Sequence, residues 1–108
     1  RDMANELYKL CFMVPPDHVE AVKHAVFETG AGRLGTYDRC CWQTVGTGQF
    51  RPLEGSRPFA GNTGEVCVAE EVKVELVCAK KCLEEAIRAL KQTHPYETPA
   101  YQAWPIRG

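Results

Sequence analysis

Residues 30–35 read GAGRLG and fit the pattern G-x-G-x-x-G letter by letter. In a dinucleotide-binding fold such glycines follow a strand and open a helix, whose amides then face a pyrophosphate. Here the order is reversed. Upstream, Val19, Val22, Ala25 and Val26 recur at helical spacing after Pro15-Pro16-Asp17, so a helix capped by Asp17 is expected to run to about Thr29. Gly30 stands where a helix needs a left-handed residue at its end, and Gly32 and Gly35 loosen the turn behind it. Downstream, residues 37–45, YDRCCWQTV, are rich in aromatic, cysteine and β-branched residues and read as a strand. Helix, glycines, strand is a helix stop, and a redox enzyme of the dinucleotide-binding kind is set aside.

On either side of this stretch the periodicity is clear. Leu7 to Val14 alternates, with Tyr8, Leu10, Phe12 and Val14 on one face of a strand. Gly46-Thr47-Gly48 is expected to break the chain between strand 37–45 and the extended segment 49–52, as in a hairpin or bent ribbon. Residues 52–64, PLEGSRPFAGNTG, form the longest irregular stretch. Glu70 to Cys78 alternates again, and Cys82 to Gln92 carries Leu83, Ala86, Ile87 and Leu90 on one helical stripe. Ala100, Tyr101, Ala103 and Trp104 permit a last strand, with prolines on both sides marking an edge. The sum is two split β-α-β units: a ferredoxin-like α+β fold, an antiparallel sheet with both helices on one face and an extra hairpin arm. Lys9, Cys11, Met13, Cys41 and Val45 are expected on the face without helices, a half-apolar surface that favours association.

The 108 residues suit one domain, placed at 7–108, with residues 1–6 as a tail in which Arg1-Asp2 reads either as a cloning remnant ahead of Met3 or as the start of an excised domain. Hydrophobic residues make up 44%, and the formal net charge of -1 gives no electrostatic pull toward nucleic acid or a membrane. Without an apolar leader, the six cysteines are expected as reduced thiols in a cytoplasmic protein.

Catalysis would need a nucleophile with a base, paired carboxylates or a metal with an open position. His94 and Glu97, three apart around Pro95, are the candidate metal ligands, so a divalent metal is the one cofactor for which the residues leave an opening. Two ligands make an incomplete site, which a neighbouring subunit would have to complete. The plainer alternative is that they pin the turn by bonding to loop amides. His18 and His24 fall on different helix faces, both expected at the surface, and neither Cys40-Cys41 nor Cys78/Cys82 has zinc-knuckle spacing. Cys82, at a helix start beside Lys80 and Lys81, is the best candidate for a reactive thiol, set against the favoured plainer reading of a helix-cap position with no chemistry. Arg33, Arg39, Arg51 and Arg57 lie in or beside the glycine-rich segments and could hold a small anion. The candidate ligand residues are Arg33, Tyr37, Arg51, Glu54 and Tyr96.

Four strings, GAGRLGTYDRC (30–40), GTGQFRPLEG (46–55), PFAGNTGE (58–65) and HPYETPAY (94–101), together resemble the PII/CutA-like domain of the YqfO family, the NGG-interacting factor three group. In that family the domain is inserted between two halves of a core that carries the metal-binding residues, and those halves are missing here. The resemblance implies a free-standing accessory domain similar in architecture to PII signalling proteins and CutA, which assemble as small rings and respond to ligands or metals. The expected function is a non-catalytic, oligomeric binding or regulatory module, a homodimer or homotrimer that senses a small anion or metal or engages a partner protein. The alternative is a metal-binding protein or enzyme centred on His94 and Glu97.

Overall fold

The computed structural model describes residues 6–108, so the proposed cloning remnant lies outside the described residues. The chain runs β1 (Leu7–Val14), a 3-10 turn (Pro16–His18), α1 (Val19–Phe27), β2 (Trp42–Phe50), β3 (Cys67–Ala79), α2 (Lys80–Thr93) and β4 (Tyr101–Ile106). The strands form one antiparallel sheet in the order β2-β3-β1-β4. This is the expected ferredoxin-like α+β architecture, with β4 at an edge where Pro105 is tolerated inside the strand.

The core follows from the alternation. Leu10, Phe12 and Val14 of β1 and Val72, Val74, Leu76 and Cys78 of β3 point to one side, where Val22 and Val26 of α1 and Leu83, Ala86 and Leu90 of α2 cover them. Such fully buried aliphatic side chains each contribute roughly 1.5–3 kcal/mol.

α1 begins differently from the expected start. Asp17 does not cap it: Pro15 and Pro16 fix extended and then turning backbone, a 3-10 turn forms, and Asp17 lies inside that turn with no side-chain capping bond. The helix ends at Phe27 rather than Thr29, and Gly30 closes it at φ +99°, its N–H donating to the Phe27 carbonyl at 3.0 Å. Gly32, at φ +85°, is pressed against the Phe27 ring, where a Cβ would come within 2.8 Å. Its N–H donates to Val77 O at 2.9 Å and fastens the glycine segment to the end of β3.

The break expected at Gly46–Gly48 is absent. β2 runs unbroken from Trp42 to Phe50, beginning later than Tyr37, and both glycines pair with β3, Gly46 with Glu71 and Gly48 with Ala69. β1 reaches only as far as Val14, opposite Val72, so the rungs from Gly46↔Glu71 to Phe50↔Cys67 have no third strand. The extra arm therefore exists as the overhang of β2 and β3 themselves, closed by the loop 51–66. It stretches the molecule to 49 Å along its long axis.

The register also corrects the uncovered face. Val45 lies opposite Val72 and Cys41 packs on the core cluster, so both belong to the helix side. Lys9, Cys11 and Met13 do face away from the helices, joined by Trp42, Glu75, Gln102 and Trp104. Trp42 is 62% exposed and Trp104 42%.

Candidate functional site

Where the arm leaves the sheet, a cavity of about 250 Å³ opens between β2, the loop 51–66, β3 and the segment after α2. Phe50, Phe59 and Tyr96 form its aromatic wall, with Pro52, Pro58 and Ala60 beside them, and Glu71, Glu97 and Arg57 supply its charged groups. Tyr96 is the middle ring. Phe50 lies 6.1 Å from it at 53°, and Phe59 lies 5.8 Å from it at 52°, tilted arrangements suited to ring quadrupoles.

His94 sets the position of Tyr96. The imidazole is buried, its Nε2 lies 2.6 Å from Met13 O in β1, and its Nδ1 accepts the Tyr96 N–H at 3.1 Å. An amide can only donate, so Nδ1 is the acceptor and Nε2 carries the hydrogen. Burial pushes the His94 pKa below its ordinary value. The Met13 carbonyl and the Glu71 carboxylate oppose that shift, and His18 adds to it. A second proton would set two donors face to face at Nδ1.

Glu97 fastens the opposite wall, its Oε1 accepting the Arg57 N–H at 2.7 Å. This bond ties the loop after β2 to the segment before β4, forty residues apart in the chain. Glu71 is placed by a glycine. A Cβ on Gly48 would stand 2.6 Å from Glu71 Cδ, so only a bare backbone lets this carboxylate lie across β2. It lies beside the Tyr96 phenol, whose pKa is pushed up to about 12, first by burial and then by hydrogen bonding to and repulsion from Glu71.

Of the five candidate ligand residues, only Tyr96 lines this cavity. Arg51 and Glu54 are exposed on the adjoining loop. Arg33 lies in a second cleft, of about 440 Å³, with Glu28, Gly30, Lys81 and Cys82, and Tyr37 is 73% exposed. That cleft adjoins the Val77 end of β3. Val77 and Glu71 are six strand positions apart, about 20 Å, so one chain does not join the two groups. Arg39 pairs with Glu28, and Glu65 accepts the Asn62 amide.

Glu97 lines this cavity and His94 stands behind Tyr96, each holding backbone in place. Both His94 nitrogens are engaged within the chain, and one Glu97 oxygen holds a loop amide. Among the described residues no three His, Cys, Asp or Glu side chains converge as a metal cluster. His18, expected in solvent, is half-buried, with its ring edge-on to Phe59 at 5.4 Å and its Nδ1 buried without a partner. His24 is exposed as expected. Six free thiols are present, and the buried Cys78 is pushed up to about 11 by burial and by its neighbour Cys82.

Sequence reasoning missed Phe50, Phe59 and Glu71. The signal for Glu71 was the pairing of a glycine-bearing strand with β3, and it was hidden while Gly46–Gly48 read as a turn.

Residues 61–108 match the family model described as CutA1 divalent ion tolerance protein. The GTP cyclohydrolase 1 type 2 homolog of Halalkalibacterium halodurans is 39% identical over 100 residues, 93% of this chain and 27% of that protein. The protein of the same description from Mycobacterium tuberculosis is 40% identical over 103 residues, 95% of this chain and 27% of that one. A Bacillus cereus protein related to NIF3 superposes with a TM-score of 0.83 at 34% identity, over 97% of this chain and 27% of that chain. The periplasmic divalent cation tolerance protein CutA of Archaeoglobus fulgidus shares the fold, with a TM-score of 0.68 at 19% identity, over 94% of this chain and 86% of that chain. The chain is thus a relative of one segment, about a quarter, of the first three proteins, and has the fold of the fourth.

Proposed function

We propose that this chain is a non-catalytic, self-associating binding or regulatory module that takes a small ligand in the cavity at the base of its arm. The observation that carries the reading is the construction of that cavity. Three segments distant in the chain converge on it, and His94, Glu97 and Gly48 each hold one of its walls in place. Preorganised concave sites of mixed aromatic and polar lining are where small ligands bind. Self-association as a homodimer or homotrimer is supported by the uncovered sheet face with its two exposed tryptophans. Six free thiols support a reducing, cytoplasmic setting.

A divalent ion is the second reading, favoured by the description of the family model matched at residues 61–108. With both His94 nitrogens engaged, such an ion would use Glu97 together with groups from another copy. The activity named for the longer relatives forms no part of the proposal, because the chain spans 27% of their length.

Amide chemical-shift mapping with a set of small acids, amines and neutral fragments tests the seat. Shifts gathered on Phe50, Arg57 to Ala60 and Tyr96 to Ala100 are expected. Shifts scattered over the sheet, or clustered at Arg33 and Cys82, would count against it.

A further inference from the structure

The chemistry of the cavity lining selects among ligands. Tyr96, flanked by Phe50 and Phe59, presents three tilted rings to one cavity. Ring faces carry negative quadrupole density and attract cations, most strongly where water is excluded. Two carboxylates, Glu71 and Glu97, open on the same space. Among the described residues no basic side chain comes within 4.0 Å of either carboxylate. The one base in the lining, Arg57, gives its backbone N–H to Glu97 while its side chain is exposed, so the lining keeps a net negative charge.

These features disfavour the other ligand classes. An anion would meet the two carboxylates. A neutral apolar molecule would desolvate them without adding a partner, which costs free energy. A compact cation with an apolar body satisfies both the rings and the carboxylates.

We propose that the cavity at the base of the arm is an aromatic and acidic seat for a small organic cation of the alkylammonium class. This deepens, and rests on, the reading of the cavity as a ligand seat. Glu97 serves twice, one oxygen fastening the loop and the carboxylate as a whole supplying charge. Gly48 takes part indirectly, since any side chain there would push Glu71 out of the lining.

Three isosteric probes separate the possibilities: n-butylammonium, 1-butanol and butyrate, each titrated into the full chain and followed by amide shifts and by solution mass. Butylammonium is expected to shift the Phe59, Tyr96 and Glu97 amides and to bind about tenfold more tightly than butanol, with butyrate weakest. Glu71→Gln and Glu97→Gln keep the size of each side chain, and Glu97→Gln keeps an oxygen for the Arg57 N–H, so the walls stay in place. Each should weaken butylammonium by about tenfold while leaving butanol unchanged. If butanol or butyrate binds at these amides as well as the cation does, the cation inference falls and the ligand seat stands. If no probe reaches these amides, the seat itself falls. A drop in solution mass as butylammonium is added would show that a basic side chain of a second copy fills the cavity, and would overturn a seat for free small molecules.

Discussion

Replacing His94 by alanine removes a buried ring and both of its hydrogen bonds at once. The Met13 carbonyl and the Tyr96 N–H lose their partners, at 2.6 and 3.1 Å respectively. A stranded buried polar group costs about 1–3 kcal/mol. Two of them, together with the cavity left by the ring, give an expected loss of about 3–5 kcal/mol, a large part of the stability of a domain this size. Urea denaturation of the two proteins measures the loss. Because folding lowers the His94 pKa, the ring contributes fully above its ordinary value of 6.5, and the contribution is lost as pH falls through 6.5 toward the lower folded value. The gap between wild type and His94→Ala should therefore narrow below that pH. A loss under about 1 kcal/mol, or a gap that widens in acid, would refute the assignment of His94 as the fastener of the Tyr96 segment.

Gly48→Ala should shift overall stability by no more than about 1 kcal/mol, since the clashing group is a flexible side chain. It should also move Glu71 away and bring the Tyr96 phenol down from about 12; an unchanged ultraviolet titration of Tyr96 would contradict the placement of Glu71. Alkylation under native conditions should reach Cys82 before Cys78 and Cys11, whose thiols are buried and pushed upward in pKa. Peptide mapping that found Cys78 modified first would contradict that order.

Much of the fold was legible because its core elements carry their own periodicity. β1, β3 and α2 each bury one regular stripe, and that stripe is visible in the letters. Gly46 and Gly48 misled because glycine reads locally as a turn, whereas pairing with β3 over the whole of β2 determined their conformation. Asp17 misled in the same way, since two prolines ahead of it fixed a 3-10 turn before any cap could form. The cavity was hidden for a different reason. Its walls come from residues 49–60, Glu71 and residues 96–100, and no local pattern records that Glu97 will accept the amide of Arg57.

Self-association through the uncovered sheet face is the claim on which the module reading depends, and sedimentation equilibrium of the wild-type chain tests it most directly. A mass of two or three chains is expected, falling to one chain when Trp42→Glu and Trp104→Glu are combined. A wild-type protein that sediments as one chain at every concentration would contradict the account.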